Sequence, residues 1–186
     1  MIYISMDDTD SLESRGTGTL ARTIAKELSE NYPVYGVTRH QLYKHPDIPY
    51  TSHNTCAVIQ VDGAGEDLVD ELFGVVKDKM LADFVDGSDP GLAVAEESQI
   101  KPSLVAFGCD AKNTILNQKK ARVLASNLNI KLEGLGGTED GVIGTMAGLG
   151  LASTQNDGRF LRIGLEDITG SLTVEKLFDV GVDSVY

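Results

Sequence analysis

The chain has 186 residues, 41% of them hydrophobic and 24% charged, the balance of a soluble globular protein and not of a disordered one. A formal net charge of -12 works against broad, nonspecific binding to nucleic acid, which depends on Lys and Arg neutralising phosphates. No apolar run is long enough to span a membrane, and Met1-Ile2-Tyr3-Ile4 lacks the basic flank and long apolar stretch of a signal peptide.

Taken in order, the chain alternates strand and helix signals. Ile2 to Met6 reads as a strand, and Leu20, Ile24, Ala25 and Leu28 recur at helical spacing within Thr17 to Glu30. Val34 to Leu42 is a second strand, Tyr43 to Thr55 a loop rich in His and Pro, and Ala57 to Val61 a third strand. Glu66 to Leu81 carries Leu68, Val69, Leu72, Val75 and Val76 on one helical face. Asp86 to Gly91 is a turn cluster before a short strand, Leu92 to Ala95. Lys101 to Ala111 is ambiguous, with Pro102 suited to a first helical position. Asn113 to Leu128 predicts a helix, Ile130 to Glu133 a strand, and "GLGGTEDGVIG" opens a helix running to about Leu151. Phe160 to Leu165 and Thr173 to Asp179 close the chain as a strand and a short helix. The mixture predicts an α/β or α+β fold, a single compact domain over 1–186 with a mixed sheet and flanking helices; the strand order is not legible. Cys56 and Cys109 form no metal-type pair, which makes a reducing cytoplasm the default expectation.

The densest chemistry is "MDDTDSLESRGTGTLA". Asp7, Asp8 and Asp10 stand where a strand ends, the position at which α/β proteins place their ligands. Crowded carboxylates repel unless a cation or donors offset them, and Mg²⁺ suits such a set because it prefers oxygen ligands, keeps waters and is shared with phosphates. Arg15, Gly16 and Gly18 lie in a bend whose N–H groups precede a helix, a seat for phosphate. Asp, Ser and Thr after a strand are also ordinary turn and cap residues, so this second reading of each aspartate stands beside the first. The bend is not a P-loop, because the Gly-Lys-Ser/Thr ending is missing. Asn54 serves equally as a turn residue or a ligand, and Gly141 and Gly144 as tight-packing residues or as part of a phosphate seat. Lys112, Lys119, Lys120 and Arg122 read as a solvated basic face.

Several segments in order resemble the N-terminal, kinase-like domain of the archaeal agmatinylcytidine synthetases that modify isoleucine tRNA. They are Asp7-Asp8-Thr9-Asp10-Ser11 with Arg15-Gly16 and Thr19, then His45-Pro46-Asp47-Ile48-Pro49-Tyr50, then Asn54, Pro90-Gly91, and the run from Gly141 to Gly150. The resemblance covers roughly residues 1 to 150. It implies a domain that binds ATP with Mg²⁺, with Thr19 taking part in phosphate transfer, Asp7, Asp8 and Asp10 beside the metal and triphosphate, and Gly141 and Gly144 seating phosphates through backbone N–H groups. Asp8 is then a catalytic as well as a metal-site candidate. The family continues into an OB-fold and a zinc ribbon that hold tRNA, and this chain carries neither. It also has Gly18 where the family has Cys and His40 where it has a basic residue. ATP binding therefore carries over more directly than tRNA modification. Two readings stay open: an ATP-using phosphotransferase of unknown acceptor, with tRNA or another RNA as partner or a separate chain supplying the missing parts, and a nucleotide-binding regulatory module without chemistry.

Overall fold

Ile2, Ile4 and Met6 alternate with Tyr3, Ser5 and Asp7 along β1 (Ile2–Asp7), and every one of these side chains is buried. A strand buried on both faces belongs at the centre of a covered sheet. The computed structural model, which describes residues 1–11, 14–51, 53–161, 170–171 and 173–179, places it there. The other strands are β2 (Val34–Gln41), β3 (Thr55–Val61), β4 (Gly91–Glu96), β5 (Lys131–Gly134) and the short β6 (Arg159–Phe160). They form one sheet in the order β5-β4-β1-β3-β2-β6, and every neighbouring pair is antiparallel. Of the two fold classes that the sequence allowed, this sheet is α+β in the strict sense.

Helices cover both faces. On one, α1 (Thr17–Leu28) and α2 (Glu66–Ala82) bring Leu20, Ile24, Leu72 and Val76 onto Ile2, Ile4, Met6, Ile59 and Val94. On the other, α3 (Pro102–Asp110), α4 (Gln118–Leu128) and α5 (Gly141–Ala152) pack Leu104, Ala121, Met146 and Leu149 against Tyr3, Cys56, Val58 and Ala93. Helix α5 is buried nearly all round, as its unbroken apolar and small sequence requires. A last short helix, α6, spans Val174–Asp179.

Two expectations change. The ambiguous segment after Lys101 is helix α3 with Pro102 at its start. The helix expected from Asn113 begins only at Gln118, because Asn117 is extended and its side chain caps the helix by accepting from the Lys120 N–H at 3.0 Å. Thr114, Ile115 and Leu116 are thereby left to line a cavity. Of the strand expected over Phe160 to Leu165, residues 162–165 lie outside the described residues.

The segment after α5 is tied back by a partly buried polar chain. His40 has no exposure; its Nδ1 pairs with Asp157 at 3.0 Å and its Nε2 with the Thr38 hydroxyl at 2.9 Å, while Lys112 reaches the other Asp157 oxygen at 2.5 Å. Burial pushes the His40 pKa down. That matches a neutral ring whose Nδ1–H donates to Asp157 and whose Nε2 accepts from Thr38. No helix among the described residues is long and apolar enough to cross a membrane.

Candidate functional site

Strand alternation sends Asp7 to the face covered by α5, in line with Tyr3 and Ser5. The Asp7 side chain is 4% exposed and lies against Gly144, where an added Cβ would sit 1.6 Å from its Oδ2. One helical turn on, a Cβ on Gly148 would sit 2.4 Å from Ser5 Oγ. The spacing follows from geometry: four helical residues rise about 6 Å and two strand residues about 6.7 Å, so glycines in α5 meet alternate polar residues of β1. Gly141 donates its N–H to the Asp89 carbonyl at 3.0 Å and approaches the Gly91 backbone too closely for any side chain. Gly141 and Gly144 therefore make room for β1 and its neighbours.

Asp8 follows in the left-handed region, with φ of 51°, a conformation Asp tolerates better than most residues. Its carbonyl accepts the Asp89 N–H at 3.2 Å, which brings the turn before β4 alongside. Asp8 lines two cavities. The larger, about 520 Å³, combines Asp7, Asp8, Asp140 and Asn54 with an apolar wall of Leu42, Ile48, Ile115, Leu116 and Ile143. The smaller, about 480 Å³, is of mixed character and includes Asp10, Ser11, Thr51, Ser88 and Asp89 beside Pro49 and Tyr50. Pro49 is the other residue common to both.

The carboxylates disturb one another. Burial, then the charges of Asp89, Asp10 and Asp140, raise the Asp8 pKa from 3.8 to about 7. Burial and then the Asp8 charge raise Asp7 as well, and the Asp8 N–H hydrogen bond offsets only part of this. Both carboxylates thus sit where a cation would relieve repulsion and desolvation. Among the described residues no three His, Cys, Asp or Glu side chains form a cage for a metal ion by themselves.

The structure brings Asp7, Asp8, Asp10, Asn54 and Gly144 to the cavities, with Gly141 at the backbone behind them. Asn54 also braces the loop, donating from Nδ2 to the Tyr43 carbonyl at 2.7 Å. The bend before α1 is placed differently. Arg15 forms a two-point ion pair with Asp83 at 2.5 and 3.2 Å. Gly16 is the cap residue of α1, and Gly18 faces the Leu161 and Arg39 side chains. Thr19 accepts a hydrogen bond from Arg22 at 3.4 Å. None of these four lines either cavity. Sequence reasoning missed Asp89 and Asp140 as site residues and the apolar wall entirely. The acidic "GSDPG" and "TEDG" stretches were visible, but only the pairing of Asp7 opposite Gly91 puts them beside β1. The site lies at the end of β1 and at the beginnings of β3 and β4, so the parallel-sheet rule that pointed to it does not apply to this sheet.

Among the described residues, a six-stranded antiparallel sheet lies between two helical layers, with an acidic cleft at the end of its central strand. No family model matches the chain. Its fold is similar to that of the N-terminal domain of TiaS, the tRNAIle2 agmatidine synthetase. The apo TiaS structure superposes with a TM-score of 0.67 at 22% identity, over 80% of this chain and 35% of that one. The TiaS–tRNA(Ile2)–ATP complex gives 0.67 at 24% identity, over 80% and 36%. The uncharacterized protein MJ0921 of Methanocaldococcus jannaschii is 26% identical over 151 residues, which is 81% of this chain and 50% of that protein. The chain therefore spans about half of that curated relative and about a third of the synthetase structures.

Proposed function

We propose that this chain, as one domain over 1–186, binds ATP with Mg²⁺ at the acidic end of β1 and serves a phosphotransfer activity related to tRNA modification. The observation that carries the reading is Asp8, shared by a largely apolar cavity and a second one that also holds Asp10 and Asp89, and crowded by Asp7, Asp10, Asp89 and Asp140. A volume of about 520 Å³ with an apolar wall and a few amides suits a nucleotide base. The donor set fits Mg²⁺, which is held by one or two carboxylates together with waters and substrate phosphates, not by an all-protein cage. Asp7 and Asp8 would hold it, and when bound it supplies charge neutralisation for the phosphates. Asn54 and Ile48 would orient the base side, and burial beneath α5 keeps Asp7 from water. TiaS itself has been solved with tRNA(Ile2) and ATP, and with AMPCPP and agmatine, which supports nucleotide use by this fold.

RNA is the less supported partner. The net charge is -12, and two of the basic side chains near α4 are engaged, Lys112 with Asp157 and Arg122 with Glu139. One observation favours the alternative of a nucleotide-binding module without chemistry: Thr19, the phosphate-transfer candidate, lies outside both cavities. Amide chemical-shift mapping with Mg²⁺·ATP tests the site. Shifts are expected at Asp8, Ile48, Ile143 and Gly144; shifts confined to the opposite end of the sheet contradict the assignment.

A further inference from the structure

Asp10 differs from its acidic neighbours in having donors on both oxygens. Oδ1 accepts from the Thr17 hydroxyl at 3.1 Å, and Oδ2 accepts from the Thr51 hydroxyl at 3.1 Å. Thr17 is the first residue of α1, and it is itself held by Thr9, whose hydroxyl donates to Thr17 Oγ1 at 3.0 Å. Thr51 lies at the far end of the loop between β2 and β3. The base of that loop is anchored separately: Leu42 N–H donates to the Asn54 carbonyl at 2.8 Å and Tyr43 N–H to the Ala111 carbonyl at 2.9 Å. Its outer part, stiffened by Pro46 and Pro49, reaches across to Asp10. This outer part is also cavity wall. Asp47, Ile48 and Pro49 line the larger cavity, and Pro49, Tyr50 and Thr51 line the smaller.

We propose that Asp10 is a positioning residue that clamps Thr51 to the start of α1 and so holds residues 47–51 as a wall running along both cavities. The carboxylate acts as a two-ended acceptor between two hydroxyls, and its direct role is not that of a metal ligand. The clamp follows from these hydrogen bonds alone; its effect on ligand binding rests on the function proposed above.

The test is hydrogen exchange on the ligand-free chain, comparing wild type with Asp10→Ala, Asp10→Asn, Thr51→Val and Thr51→Ser. Loss of the clamp frees the outer loop without unfolding the sheet, so Asp10→Ala and Thr51→Val should speed exchange at the Asp47 and Ile48 amides, whose N–H groups bond to His45, by about tenfold, with β1 and β3 unchanged. Asp10→Asn and Thr51→Ser should exchange like wild type. The amide oxygen still accepts from one hydroxyl, its nitrogen donates to the other, and Ser keeps the hydroxyl. Equal loop exchange in all five proteins overturns the proposal. So does Asp10→Asn behaving like Asp10→Ala, because the charge and not the hydrogen bonding would then matter. If Asp10→Ala does not fold, the Thr51 pair still decides between the outcomes. No nucleotide is present in this experiment, so its failure is distinct from failure of the ATP assignment.

Discussion

At the scale of single residues, Asp8 is the group most at odds with its surroundings. A carboxyl whose pKa is raised in the fold binds its proton more tightly there than in the unfolded chain. Its contribution to stability is present below about pH 4 and is lost as pH rises towards 7, the window between 3.8 and about 7. Asp8→Asn removes the charge while keeping a residue that accepts the left-handed backbone. In the metal-free protein at pH 8 this substitution should raise unfolding stability by on the order of 2–4 kcal/mol, and at pH 4 by little. Urea denaturation at the two pH values checks it. Equal gains at both, or a loss at pH 8, would mean that the carboxylate is not under the strain described. Asp7 and Asp8 were legible in the sequence because they are contiguous and follow an apolar strand. Asp89 and Asp140 were not, because their closeness to Asp8 depends on β4 lying beside β1 and on α5 starting above it.

At the scale of elements, α5 and α2 show how glycine reads differently by surroundings. In α5, a Cβ on Gly150 would sit 2.3 Å from the Leu104 carbonyl oxygen of α3. In α2, Gly74 has nothing within 4 Å. Gly74→Ala should therefore stabilise the protein by about 0.5–1 kcal/mol, the ordinary helix-propensity gain. Gly150→Ala should destabilise it by roughly 1–3 kcal/mol, since overpacking against backbone outweighs that gain. Thermal denaturation of the two variants checks both signs, and a stabilising Gly150→Ala would contradict the close packing of α3 on α5. The positions of β1 to β5 and of α1, α2 and α5 were readable from periodicity within a residue or two at most ends. The start of α4 was not, because Ile115 and Leu116 continue an apolar spacing although Asn117 has already set the cap. Their apolarity serves the cavity and not a helix face.

At the scale of the whole molecule, the antiparallel sheet, with α1 and α2 on one face and α3, α4 and α5 on the other, brings segments from residue 7 to residue 144 to one end of β1. The ordered motif matches point to this fold without fixing its strand order, and the likeness to TiaS at a TM-score of 0.67 agrees with them. The apolar wall escaped sequence reading because Leu42, Ile48, Ile115 and Ile143 come from four separate segments. The central claim is that the acidic end of β1 receives a metal–nucleotide. Calorimetric titration of the metal-stripped protein with ATP, with and without Mg²⁺ and beside Asp8→Asn, tests it most directly. The account predicts binding that requires Mg²⁺ and weakens at least about tenfold in the variant, a loss of about 1.4 kcal/mol or more. No binding at millimolar ATP, or binding indifferent to both Mg²⁺ and Asp8, would contradict it.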